Sequence, residues 1–191
     1  ILEGVDAVMT NQTGVCIGVS TADCIPVLLY DEEHHAVAAI HAGWRGTLAR
    51  IVHKTIQEMA FTYHTDPKKL KAVIGPGISI DSFEVGDEVY AAFEQAAFPM
   101  EEIAEQRPNA AFSADPAERE RLAAEGNIVQ PLKWHLNLPL CNKQILLHCG
   151  VAEENIQDCG ICTFQHSDEY FSARKLGTES GRIYTAILLE K

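Results

Sequence analysis

The chain of 191 residues has no apolar run of the roughly 18 to 20 residues that a membrane span requires. Positive charge is scarce. Fifteen Lys and Arg stand against 27 Asp and Glu, a formal net charge of −12. That field repels phosphate backbones and anionic lipid, which argues against nucleic acid and membrane surfaces as partners but leaves room for a small cationic pocket. No signal peptide is read at the start. The six cysteines (Cys16, Cys24, Cys141, Cys149, Cys159, Cys162) are too few and too scattered for a secreted disulfide scaffold, so they are read as reduced and the protein as cytoplasmic. G-x-G-x-x-G and Walker motifs are missing, which removes dinucleotide and P-loop readings. No repeat or low-complexity tract is present.

What is there suits an ordinary globular fold. Apolar residues make up 47 % of the chain, well outside the disordered range. A chain of this length buries on the order of 70 % of its unfolded surface, and needs no staple to hold it. Residues 14–30 (GVCIGVSTADCIPVLLY) are apolar and β-branched, which predicts buried strand. DEEHH breaks the run and 36–41 (AVAAIH) resume it, a strand–turn–strand hairpin. From Thr47 the period changes. Leu48, Ile51, Val52, Ile56, Met59 and Tyr63 share one helical face, with Arg50, Lys54, Gln57 and Glu58 outside. Further elements are a short strand ended by Gly75-Pro76-Gly77, a helix over 87–106 broken at Pro99, a loop over 107–116 and a short exposed helix in AERERLAAEG. Leu132 to Leu138 read as a half-buried strand, Asn137 to Gly150 as a capped helix, and 156–163 and 181–190 as strands. Irregular alternation with a hairpin predicts a single α/β (α+β) domain with mixed sheets covered by helices.

The hairpin also supports a geometric expectation. With its turn centred on Glu32-Glu33, Cys24 stands directly opposite His41, and opposed residues have Cα atoms about 4.5–5.5 Å apart and point to one face. A thiol beside an imidazole serves two chemistries. Together they ligate zinc, or the imidazole activates the thiol as a nucleophile. Asp23 and Arg45 flank the pair. Arg45, Gly46 and Thr47 stand where the helix is expected to start, and free N–H groups there beside a guanidinium make an anion site suited to phosphate or carboxylate. The bland alternative is that Cys24 is a small buried hydrophobe.

STADCIPVLLYD (20–31) followed by AVAAIHAGWRGT (36–47) resembles the signature of the YfiH-like family, whose members carry the label multicopper polyphenol oxidase (laccase) and include FAMIN-related purine nucleoside phosphorylases. Collinear matches continue in IGPGIS, FEVGDEV, KWHLNL, QILLHCGV, CTF, EYFSARK and GRIYTAILL, so the resemblance spans nearly the whole chain. It implies a layered single-domain fold related in outline to cysteine hydrolases. It also implies a metal site of one Cys and two His, with Cys24 and His41 as two ligands, zinc as the metal and copper as a possible substitute. The first family His lies upstream of Asp6-Ala7-Val8-Met9-Thr10, where this chain opens, so the domain is expected to be incomplete at its N-terminus. The implied activity is phosphorolysis of adenosine, inosine and methylthioadenosine, with some adenosine deamination, and the implied roles are Cys24, His41 and Arg45 in catalysis and Asp23, Arg45, Gly46 and Thr47 at substrate phosphate.

Other readings compete. A copper-dependent phenol oxidase needs several His-rich clusters, and none of the eight His forms an H-x-H pair. A metal-free cysteine hydrolase would use Cys24 and His41 directly, and a non-catalytic zinc-binding module would use them only as ligands. Cys159-Gly-Ile-Cys162 lacks a second half-site and is read as packing. The nucleobase-deaminase signature H-x-E…P-C-x-x-C is missing. His135 and His166 are spare imidazoles, read as surface residues, and Thr163, Ser172 and Arg174 carry no signal on their own.

Overall fold

The fold is built around one strand, Ala36–Ala42, which is almost uniformly apolar because both its faces are covered. In the computed structural model, which describes residues 4–109, 111–112, 115–126, 129–177 and 179–190, the strands are β1 (Ala7–Thr10), β2 (Cys16–Thr21), β3 (Ile25–Asp31), β4 (Ala36–Ala42), β5 (Lys71–Ile74), β6 (Glu84–Val85), β7 (Ala104–Pro108), β8 (Leu132–Leu136), β9 (Ile156–Asp158) and β10 (Ile183–Leu188). The helices are α1 (Trp44–Leu48), α2 (Ile51–Tyr63), α3 (Asp87–Gln95), α4 (Met100–Ile103), α5 (Pro116–Ala124), α6 (Leu138–His148) and α7 (Ala173–Leu176). A five-stranded sheet runs β1-β4-β3-β5-β9, a ribbon pairs β10 with β2, and a third sheet orders β6-β8-β7. Among the strands of the described residues the β5–β9 pairing is parallel and the others are antiparallel, with a further isolated parallel bridge between Gly77 and Cys162. The ribbon lies over β4 and β3, and α2 lies against β4 and α6. The fold is thus of the mixed α/β class expected. No helix among the described residues is long and apolar enough to cross a membrane.

Several elements depart from the sequence pattern for local reasons. The apolar run 14–30 is two strands in two sheets, because the chain turns at Ala22–Cys24 with Asp23 in the left-handed region (φ 84°). The helix expected from Thr47 begins at Trp44 and is interrupted at Arg50, whose left-handed backbone (φ 55°) separates α1 from α2. Arg50 is turned inward rather than outward. Its guanidinium donates to Ala96 O at 3.0 Å and lies over the Phe98 ring. The strand expected over 156–163 ends at Asp158, where the Asp158 carboxylate accepts from Gly160 N–H and Gly160 is left-handed. Residues 104–106 leave the expected helix and, with 107 and 108 of the expected loop, pair with β8. Of the loop read over 107–116, Ala110, Ser113 and Ala114 lie outside the described residues. α6 forms as expected, with the Asn137 side chain accepting from Leu140 N–H at its start.

Candidate active site

The β3–β4 hairpin forms, but in a register two residues from the expected one. Pro26, not Cys24, stands opposite His41. The cause is Asp31, whose carboxylate accepts from the N–H groups of Glu33 and His34 at 3.1 Å each and so centres the turn between those two residues. A shift of two preserves the face. Cys24, one residue before β3, is therefore a diagonal neighbour of His41 on the same side. A Cβ built on Gly43 would lie 2.9 Å from Cys24 Sγ and 3.8 Å from His41 Nε2, so thiol and imidazole converge on one point above that glycine.

His41 is oriented by a residue the sequence reading missed. Its Nδ1 lies 2.9 Å from Asp6 Oδ1, and its backbone N–H donates to Asp6 O at 2.7 Å. That leaves Nε2 to face Cys24. The imidazole is raised from its ordinary value to about 9, first by its hydrogen bond with Cys24, against the opposing effect of burial, and further by Asp6. Nothing in the local sequence marks Asp6 as a partner.

The flanking residues are placed unevenly. Arg45 is exposed on α1, with its guanidinium 4.2 Å from the Trp44 ring centroid. Because α1 starts at Trp44, the Thr47 N–H is not free but donates to Gly43 O at 2.8 Å. The Thr47 side chain is fully buried, 3.4 Å from Ala42 O and accepting from Asn142 Nδ2 at 3.1 Å. Thr47 thus faces the core, and the first-turn N–H groups of Trp44, Arg45 and Gly46 are the ones with no carbonyl behind them. Asp23 lies beneath Cys24 with its carboxylate taken up by protein donors. His135 is buried rather than at the surface, with Nδ1 2.8 Å from Ile80 O, whereas His166 is exposed. Cys159 is exposed and Cys162 buried. The Cys162 sulfur accepts from Ser79 N–H and donates to Ser82 Oγ at 3.7 Å, and against burial, which acts to raise it, hydrogen bonds with Ser79, Gln165 and Ser82 hold its thiol below the usual range.

The donor chemistry suits zinc in part. A thiol and a carboxylate-oriented imidazole converge, and a carboxylate on the far ring nitrogen is a common support for a metal-bound His. Among the described residues no group of three His, Cys, Asp or Glu is placed to hold a metal, so the pair supplies two of the three protein ligands a catalytic zinc takes. Zinc needs the His41 lone pair and must displace its proton. Affinity is therefore expected to rise about tenfold per pH unit from pH 7 toward 9, on account of His41, and to lose that contribution to the slope above 9. Competition against a chromophoric chelator at pH 7, 8 and 9 measures this, and a flat profile contradicts it.

Against known proteins, residues 2–190 match the family described as multi-copper polyphenol oxidoreductase laccase. A purine nucleoside phosphorylase of Bacteroides thetaiotaomicron is 42 % identical over 191 residues, covering all of this chain and 63 % of that protein. The adenosine deaminase RL5 of an unknown prokaryotic organism is 39 % identical over 186 residues, 97 % of this chain and 63 % of its own. The crystal structure of the Bacillus licheniformis hypothetical protein YfiH superposes with a TM-score of 0.79 at 24 % identity, covering 97 % of this chain and 61 % of that one. The chain therefore spans about three fifths of the length of the curated relatives it matches.

Proposed function

The chain belongs to the multi-copper polyphenol oxidoreductase laccase family, and from that premise we propose that it is the principal domain of a zinc-dependent purine nucleoside phosphorylase acting on adenosine, inosine and methylthioadenosine. The observation that carries the reading is the convergence of Cys24 Sγ and His41 Nε2 beside the start of α1, where Arg45 stands. The Bacteroides relative's name supports the substrate class. Six free cysteines and the acidic balance support a reducing, cytoplasmic setting without nucleic acid or membrane partners.

In phosphorolysis a phosphate oxygen forms a bond to the ribose anomeric carbon while the bond from that carbon to the base nitrogen breaks. The base takes up a proton and ribose 1-phosphate remains. Arg45 and the first-turn N–H groups of α1 would hold the phosphate against the developing positive sugar through charge-assisted hydrogen bonds. Cys24 and His41 would hold the metal, with Asp6 fixing the imidazole through Nδ1. Zinc, when bound, supplies Lewis-acid polarisation and a water of lowered pKa.

That water is also what adenosine deamination requires, and the name of the second relative favours this as an accompanying activity. The test incubates the zinc-loaded protein with inosine and phosphate and follows hypoxanthine and ribose 1-phosphate by chromatography. Phosphate-dependent release of both supports the reading. No base release sinks it, and ammonia from adenosine with no need for phosphate would put deamination in its place.

A further inference from the structure

Asp23 is 9 % exposed, yet among the described residues it has no ion-pair partner. A buried carboxylate is costly unless its oxygens are satisfied. Here both are. Oδ1 accepts from the Thr163 hydroxyl at 2.7 Å, and Oδ2 accepts from the Arg174 backbone N–H at 2.7 Å. Its own carbonyl accepts from Ile78 N–H at 2.8 Å. Its backbone is left-handed (φ 84°), a conformation Asp tolerates better than most residues but which persists only where the surroundings fix it. Three segments distant in sequence thus meet on the residue immediately before Cys24. Gly77 closes the underside, where a Cβ would lie 3.1 Å from Asp23 O and 3.3 Å from Cys24 O.

We propose that Asp23 is a positioning residue that aims the Cys24 thiol at His41 by latching the β2–β3 turn to Thr163 and to the Arg174 amide, and is not a ligand for phosphate. The geometry supports this over direct binding. Both carboxylate oxygens already have short charge-assisted partners, and a negative group would repel phosphate. The latch fixes the φ of Asp23 and thereby the direction in which the next side chain leaves the turn. It also explains why Thr163 and Arg174, far along the chain, bear on a site built from residues 24 and 41. The proposal rests on the reading of Cys24 as a site residue.

The test uses the full chain with Thr163→Val, Thr163→Ser and Asp23→Asn. Valine keeps the shape and removes the donor, whereas serine keeps the donor. With metal removed, iodoacetamide labelling resolved at Cys24 by mass spectrometry is expected to slow about tenfold in Thr163→Val and Asp23→Asn, because the sulfur moves away from the imidazole beside it, and to recover in Thr163→Ser. Turnover is expected to follow the same order, with kcat falling and the KM for phosphate within about twofold of the parent. A raised phosphate KM at unchanged kcat would make Asp23 a ligand and overturn the proposal. Equal loss in Thr163→Ser and Thr163→Val, or unchanged Cys24 labelling in Thr163→Val, would also overturn it. Should Asp23→Asn fail to fold, the Thr163 pair still decides. If the parent releases no base, the nucleoside reading fails while the labelling result stands by itself.

Discussion

Replacing Cys24 with alanine is expected to lower phosphorolysis by about three orders of magnitude while leaving the protein folded, because a metal ligand or nucleophile has no substitute nearby. The thiol is half-buried at the end of a turn and outside the main apolar cluster, so its loss opens little of the core. His41→Ala should cost a similar factor, since either change leaves a single donor where two converged. Groups that act as a unit are not additive, and the double variant should be little worse than either single one. Asp6→Asn is expected to give a graded loss of about 10- to 100-fold, the usual effect of removing the carboxylate that orients a ligating imidazole. Initial rates of hypoxanthine release at saturating phosphate check the series. A Cys24→Ala protein retaining more than about a tenth of the parent rate would remove Cys24 from the reaction.

The part of this site legible in the sequence was the part that depends on parity and period. The apolar runs 14–30 and 36–41 on either side of DEEHH predict a strand–turn–strand hairpin, and the spacing of Val52, Ile56 and Met59 predicts the helix face that does lie buried. Parity alone puts Cys24 and His41 on one face whether the turn centres at 32–33 or 33–34. The register itself is set by two hydrogen bonds that the Asp31 carboxylate accepts from turn N–H groups, a local competition that hydrophobic pattern does not encode. Arg50 hides in a helical pattern and still breaks it, because its backbone is left-handed and its guanidinium reaches Ala96 and Phe98. The supporting residues are less accessible still. Asp6, Thr163 and Arg174 lie 35, 140 and 151 residues from the partners they bind. Only the folded chain brings them in, and each in isolation is an unremarked polar residue.

Gly43→Ala tests the convergence itself. Gly43 has an ordinary backbone (φ −67°, ψ 174°) that any residue adopts, so alanine brings no conformational strain. As the residue before α1 Gly43 has no side chain to cap the helix, so no capping bond is lost and the exchange should alter stability by no more than about 1 kcal/mol. The new methyl, however, would stand 2.9 Å from Cys24 Sγ, well inside van der Waals contact, which for carbon begins near about 3.5 Å. The sulfur, at the free end of its side chain, must therefore turn out of the position it shares with His41. A displacement near 1 Å at reacting groups costs on the order of 10²-fold in rate, so turnover should drop by that factor with the thermal midpoint nearly unchanged. Parent-like turnover in Gly43→Ala would mean that Cys24 and His41 do not act from this shared point, whereas lost turnover at an unchanged thermal midpoint would separate the chemistry of the pair from the stability of the helix that follows it.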